Sequence, residues 1–232
     1  MVDHAKRLYS IVVGLAVAEA CKRLFPFDSW NSTTFVLFCT FLVTIVPIFH
    51  GFDRSLDIKY YEEPLGETRK ARSLYLWDVM MLLITSIFFV GMAQSIEINS
   101  IPAPTTFYYI MGLMLLFDCV VLFIDRYKTH IPTRLDHYWT WILINAALGA
   151  FCFYASSAVP NPHPDGPAIG LEWLVLLAAI VRSAIDYAVS TGFMFPHTED
   201  PKPASPLGRA PANFKLRHYL RKLHLDGALR FW

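Results

Sequence analysis

Apolar residues along the chain concentrate in six runs that are separated by shorter polar or proline-rich stretches. The runs cover residues 8–24, 34–49, 74–94, 107–124, 138–158 and 172–195. Most of them approach the roughly 20 residues that a helix needs to cross the hydrocarbon core of a bilayer. The first two are the weakest, because the first contains Glu19 and the second is short. The pattern predicts an all-α integral membrane protein with a six-helix transmembrane bundle.

The last apolar run carries two charged residues near its middle, Arg182 and Asp186. Residues four positions apart lie on one face of a helix. A charged side chain at that depth in a bilayer costs a few kcal/mol or more, so it is expected to face protein or water. The spacing therefore predicts polar groups in the interior of the bundle.

Basic residues alternate between the segments that connect the runs. Residues 51–73, the connection after the fourth run and the segment beyond residue 195 contain Lys and Arg, whereas residues 95–106 and 159–171 contain neither. Basic segments stay on the cytoplasmic side of a membrane. We therefore expect a multi-pass protein of the cell membrane, in a bacterial inner membrane, with both termini cytoplasmic. Lys22 and Arg23 are the exception, and we expect them to reach the surface or to pair with Glu19.

The chain divides into three segments. We expect residues 1–195 to form the six-span transmembrane domain, residues 196–212 a Pro-rich linker, and residues 213–232 a basic amphipathic cytoplasmic helix. The polar face of this last helix contains Lys215, Arg217, Arg221 and Lys222. A helix of this kind lies on an anionic membrane surface or docks on a partner protein. We expect no nucleic-acid partner, because the tail is short and the rest of the chain has no basic face.

The composition agrees with a membrane protein. Hydrophobic residues make up 55% of the 232 residues and charged residues 17%, against roughly a quarter charged in soluble domains. The four cysteines lie in apolar runs without paired spacing, so we expect buried thiols rather than disulfides or a zinc site. No nucleotide, hydrolase, potassium-filter or retinal motif is present. We expect no cofactor, no metal site and no catalytic residue.

Polar residues within the runs are the candidates for an ion pathway. Asp78, Asp118 and Asp186 are expected in the cytoplasmic half of the bilayer, with Arg182 slightly further out as counter-charge or gate. In the alternative interpretation, Arg182 pairs with one carboxylate and the cluster only fixes helix packing. Glu19 is expected near the outer mouth. The full candidate set is Glu19, Asp78, Asp118, Asn145, Arg182 and Asp186.

Two further groups carry weaker predictions. Histidines and aspartates at the cytoplasmic edge would make a metal site or an acid–base pair, but their spacing matches no ligand pattern and we expect solvated side chains. This group is His50, Asp53, Asp57, Asp125, His130, Asp136, His137 and His197. The small residues Gly14 and Ala18 permit close helix contact, which we expect to be made within the chain.

Three functions follow from these patterns. The first is a small homo-oligomeric, cation-preferring channel or ion-coupled membrane protein, gated from the cytoplasmic side, such as an effector that permeabilises the membrane. The second is a membrane scaffold or sensor that recruits a cytoplasmic partner through its loop or tail. The third is a membrane-embedded enzyme that uses the histidines and aspartates at the cytoplasmic edge. The expected partners are the lipid bilayer, further copies of the chain, and a cytoplasmic protein or small-molecule ligand.

Overall fold

The computed structural model of the protein describes residues 2–25, 32–62, 69–98, 101–128, 138–158 and 169–194. The predicted linker at 196–212 and the predicted amphipathic helix at 213–232 lie outside the described residues, as do His130, Asp136, His137 and His197. The predictions made for Lys215, Arg217, Arg221 and Lys222 therefore stay predictions.

Six long helices form the described part of the chain. They are α1 (Val2–Leu24), α2 (Ser32–Asp57), α3 (Arg69–Ser95), α4 (Pro104–Lys128), α5 (Tyr138–Ala158) and α6 (Ile169–Met194). A π-helical turn, Ile58–Glu62, continues α2, and the two-residue strands β1 (Glu97–Ile98) and β2 (Ile101–Pro102) pair antiparallel between α3 and α4. The predicted all-helical architecture is confirmed for this part of the chain.

Five of the helices, α2 to α6, are long and apolar enough to cross a membrane. The protein is therefore a multi-pass membrane protein. Helix α1 is not among the five. Its 23 residues include Asp3, Lys6, Glu19 and two further basic residues in the last turn, which lower its hydropathy. A sixth span formed by α1 remains a proposal.

The second helix extends beyond the predicted run. The apolar stretch stops at Phe49, but α2 continues to Asp57 and the π-helical turn follows it directly. The expectation that residues 51–73 begin as a loop was wrong for residues 51–62. Charged residues of this extension lie at helical spacing and form ion pairs with other helices. These ion pairs stabilise the extension, although its sequence is not apolar.

The helices alternate in direction and pack in a ring. Helix α1 contacts α2 and α3, and the ring continues through α4, α5 and α6 back to α2. Lys6 of α1 binds Asp53 and Asp57 of α2 at 2.9 and 2.8 Å, which marks one end of the bundle, here called the Lys6 end. At the other end, the Arg23 end, Arg23 donates a hydrogen bond of 2.9 Å to the carbonyl oxygen of Glu97.

Apolar side chains fill the bundle toward the Arg23 end. Fully buried residues there come from the helix halves nearest that end, and they include Phe41, Met92, Phe107, Tyr108, Met111, Cys152, Ala155, Val175 and Ala179. Large apolar side chains also point outward from all six helices, for example Ile11 at 60%, Ile87 at 71% and Leu143 at 61% exposure. Apolar surface of this extent is typical of a protein that contacts lipid.

Candidate functional site

The close approach of α4 and α5 positions the first polar contact of the interior. A Cβ atom added to Gly112 would lie 3.2 Å from the carbonyl oxygen of Gly149, so the two backbones are nearly in contact. Short side chains can therefore bridge these helices. The amide Nδ2 of Asn145 donates a hydrogen bond of 2.5 Å to Oδ2 of Asp118.

Helix α6 adds a cation and a second carboxylate to this contact. Nε of Arg182 donates a hydrogen bond of 2.8 Å to Oδ1 of Asn145. Nη1 of Arg182 lies 3.6 Å from Oδ2 of Asp186, in the four-residue relationship that the sequence predicts. Ser190 donates to Asp186 in turn, at 3.1 Å to Oδ1. We call Asp118, Asn145, Arg182 and Asp186 the Arg182 network.

Asn145 is the central residue of the Arg182 network. The sequence identified it only as a polar residue within a span, whereas the structure has it accept from Arg182 and donate to Asp118. Its amide therefore separates the guanidinium from the Asp118 carboxylate. Among the described residues, no cation contacts Asp118 directly; its hydrogen-bond donor is a neutral amide. Asp186 is the carboxylate nearest to Arg182.

A second polar group lies at the Lys6 end and contains a cation that sequence analysis missed. Nζ of Lys59 lies 3.1 Å from Oδ1 of Asp78 and 2.7 Å from Oδ2 of Asp125. The hydroxyl of Tyr60 donates to Oδ2 of Asp78 at 2.7 Å. We call these four residues the Lys59 cluster. Lys59 is only 3% exposed.

Lys59 was missed because its place in the sequence suggests a loop. It follows the charged residues Asp53, Arg54 and Asp57, outside the second apolar run. Continuing the predicted helix for about three more turns would have placed Lys59 in a helix rather than in a loop. The structure also moves Asp125 from the cytoplasmic-edge group into the interior, where it is 8% exposed.

One cavity joins the two polar groups. It has about 80 Å³ open to the centres of water molecules, which is room for several waters, since one water needs about 10–15 Å³. Asp118, Asn145, Arg182 and Asp186 line it together with Asp125 of the Lys59 cluster. Nη1 of Arg182 is buried and donates no hydrogen bond to the described residues. A cavity of this size beside a buried donor has both the room and a hydrogen-bond partner for water.

The charges of the two polar groups are unbalanced. Each cation has two carboxylates in its group. Arg182 lies near Asp186 and reaches Asp118 through Asn145. Lys59 binds Asp78 and Asp125 directly. The two groups bring four carboxylates and two cations together. When all six are ionised, these groups carry a formal charge of −2. Such a charge in a low-dielectric interior attracts cations or protons.

The remaining candidates lie elsewhere. Glu19 accepts from Arg23 at 2.6 Å at the Arg23 end and does not line the cavity. Asp78 belongs to the Lys59 cluster and does not line the cavity either. Glu172, at the same end as Glu19, accepts a hydrogen bond of 3.0 Å from Thr33 of α2. Of the six candidate ion-pathway residues, Asp118, Asn145, Arg182 and Asp186 therefore share this cavity, and Glu19 and Asp78 do not line it.

The described residues of the predicted cytoplasmic-edge group contact other side chains of the bundle. Asp53 and Asp57 bind Lys6. Partial burial lowers the pKa of Lys6, but its hydrogen bonds to Asp57 and Asp53 raise it more, so the net shift of the pKa is upward. The ring of His50 lies 6.1 Å from that of Tyr187. Within the described ranges, no three His, Cys, Asp or Glu side chains are close enough together to hold a metal ion.

Comparison with known proteins assigns the chain to no group. No protein-family model matches the sequence, and no curated protein and no solved structure matches it. The class defined by the fold is a multi-pass helical membrane protein, with a cavity near one end of the bundle that three carboxylates and one arginine help to line.

Proposed function

We propose that the protein is a cation-preferring, ion-coupled membrane protein that takes a cation or proton into the cavity at the Lys6 end. The observation that carries the proposal is Asp118. Its carboxylate lines the cavity, and its partner among the described residues is the neutral amide of Asn145. An ionised carboxylate within a membrane protein is costly without a neutralising partner. A proton or cation from the cavity would supply one.

The Arg182 network supports a defined role for each member. Asn145 orients the Asp118 carboxylate and keeps the guanidinium from pairing with it directly. Asp186 adds a second carboxylate on the cavity wall, and Arg182 limits the total negative charge. The same site would exclude anions, because three carboxylates face one arginine along the wall.

The direction of access follows from the distribution of basic residues. The positive-inside pattern favours a cytoplasmic Lys6 end, so the cation would enter from the cytoplasm. The bundle toward the Arg23 end is packed with buried apolar side chains such as Phe107 and Met111. A route across the membrane would therefore require either a conformational change or a path between subunits, which favours ion coupling over an open pore within one chain.

A homo-oligomer is part of the proposal. Gly14 and Ala18 are exposed on α1, and a Cβ added to Gly14 meets nothing within 4 Å. The expectation that these small residues pack within the chain was wrong; the small residues of α1 that are buried in the bundle are Ala5, Ala16 and Ala20. Small residues four positions apart on an outer face favour close contact between spans of two subunits. This face also supports α1 as a sixth span.

The test is cation binding and transport by the purified chain. Reconstituted in liposomes, the wild type is expected to move K⁺, Na⁺ or H⁺, monitored with ion-sensitive dyes, and to bind the same cation in detergent by calorimetry. Asp118→Asn should lose both, because an amide cannot neutralise a cation. Asp57→Asn is the matched control, since it removes a carboxylate of the Lys6 end that does not line the cavity. Equal flux and binding in wild type and Asp118→Asn would refute the proposal.

The scaffold function is the second candidate, and one observation favours it. The interior polar groups link α2 to α3 and α4 through Lys59, and α4 to α5 and α6 through Asn145. In a scaffold, these polar contacts would only hold the helices together. In that case no cation would bind or move under any condition, and deletion of residues 213–232 would abolish recovery of a cytoplasmic partner.

A further inference from the structure

We infer that Lys59 is a tethered internal cation that competes with the cavity's ligand for Asp125, and so sets the affinity of the site. This inference rests on the proposed function, because it concerns the same cavity. Asp125 is the residue that both polar groups share. It lines the cavity, and its Oδ2 accepts a hydrogen bond of 2.7 Å from Nζ of Lys59.

The Lys59 cluster is built so that Asp78 holds the lysine in place. Oδ2 of Asp78 accepts from the hydroxyl of Tyr60 at 2.7 Å, and Oδ1 accepts from Lys59 at 3.1 Å. Asp78 is thus bound through both oxygens and lies away from the cavity. It anchors the ammonium group, whereas Asp125 is the carboxylate that a cation in the cavity can also reach.

The ammonium group acts on the cavity in two ways. It occupies Oδ2 of Asp125, which removes one carboxylate oxygen from any cation that enters. It also places a fixed positive charge next to the cavity wall, in an interior where charges are weakly screened. Both effects oppose cation binding. The 3% exposure of Lys59 prevents the ammonium group from moving into solvent without a backbone change.

The backbone around Lys59 gives this competition a structural consequence. Lys59 and Tyr60 lie in the π-helical turn Ile58–Glu62 at the end of α2. Short π-helical segments are frequent at functional sites. A cation that binds Asp125 would break the hydrogen bond between Asp125 and Lys59, and so would remove one of the contacts that hold the π-helical turn against α4. Occupation of the cavity would thus be transmitted to the connection that follows α2.

Two substitutions of opposite predicted effect test the inference. Full-length protein in detergent micelles is titrated with KCl, NaCl and methylammonium chloride by calorimetry. Lys59→Met removes the competing charge and should lower the Kd at least tenfold, which corresponds to about 1.4 kcal/mol. Asp78→Asn removes the anchor's charge, strengthens the hold of Lys59 on Asp125, and should raise the Kd several-fold. General destabilisation would not produce opposite signs.

The matched control is Lys6→Met. Lys6 also lies between two carboxylates at the same end, Asp53 and Asp57, but none of these three residues lines the cavity. Its substitution should leave the Kd unchanged, since its charge is nearer to solvent.

The outcomes separate this inference from the proposed function. If Asp118→Asn loses binding while Lys59→Met binds no more tightly than the wild type, the inference is wrong and the function stands. If Asp118→Asn binds like the wild type, the proposed site is wrong. Should Lys59→Met fail to fold, Asp78→Asn decides: an unchanged or lower Kd overturns the inference, and a higher Kd supports it.

Discussion

The hydroxyl of Ser183 in α6 donates a hydrogen bond of 2.9 Å to the carbonyl oxygen of Val43 in α2. Pro47 lies four residues after Val43, inside the helix. Because proline has no N–H, the carbonyl of Val43 lacks its usual partner within the helix. Serine and threonine side chains commonly satisfy such freed backbone groups in membrane proteins. This bond therefore fixes α6 against α2 beside the cavity, which Pro47 itself lines.

Ser183→Ala should lower the free energy of unfolding by about 1–3 kcal/mol, the cost of a buried carbonyl without a hydrogen bond. The measurement is a denaturant titration in detergent, followed by circular dichroism. In a Pro47→Ala background the N–H returns, and the same substitution should cost far less. A loss of equal size in both backgrounds would show that the Val43 carbonyl is not responsible. Thr191→Ala, on the exposed part of α6, is the control and should have little effect.

Gly112→Ala should destabilise the bundle by about 1–3 kcal/mol, because the added methyl group would lie 3.1 Å from the ring of Phe153 and 3.2 Å from the Gly149 carbonyl. The separation of α4 and α5 should also weaken the bond between Asn145 and Asp118, and with it cation binding. Gly91→Ala is the matched control. Its Cβ would meet Ile110 at 3.6 Å, an ordinary contact, so the better helix former should be neutral or stabilising. Equal effects of the two substitutions would contradict the close helix contact.

Arg182→Met should cost about 3–5 kcal/mol, because it leaves buried carboxylates without their cation. The control is Arg23→Met at the other end of the bundle. Arg23 has the same four-residue relationship to Glu19, but its side chain is 29% exposed and that of Arg182 only 5%. A partly solvated pair contributes about 1 kcal/mol or less. Thermal unfolding in detergent compares them, and similar losses would mean that Arg182 is solvated rather than buried.

Single cysteines at His4 and Lys22 test the orientation and the sixth span together. Both positions are exposed, at opposite ends of α1, and the four native cysteines are replaced by alanine. A membrane-impermeant maleimide applied to intact cells should label His4→Cys poorly and Lys22→Cys well. After permeabilisation both should react. Labelling of both in intact cells, or of neither, would mean that α1 does not cross the membrane.

The positions of the helices could be predicted from sequence because lipid imposes a simple rule on the chain. Backbone groups in a bilayer must be paired within the segment, so a long apolar run becomes a helix. The run at 138–158 coincides with α5, and those at 107–124 and 172–195 lie within a few residues of α4 and α6. Hydropathy does not report on polar helix extensions. The end of α2 was therefore missed, and Lys59 with it.

The composition of the site was partly predictable and its pairing was not. A charged residue in an apolar run must avoid lipid, and this rule alone selects Asp118, Arg182 and Asp186. It cannot say which helices are neighbours, because the apolar faces of all six are alike in sequence. Gly112 and Gly149 bring α4 against α5, and that contact makes Asn145 the bridge between Arg182 and Asp118.

By itself, the sequence determined that this is a multi-pass helical membrane protein with charged groups turned inward, since the free energy of burying charge in lipid depends on residue type and position in a run. The tertiary structure decided which charges share a cavity. It placed Asp118, Asp125, Asp186 and Arg182 on the wall of one cavity, and Asp78 and Glu19 elsewhere. The physical reason is that pairing between buried charges depends on distances of a few ångströms between separate helices, which packing alone establishes.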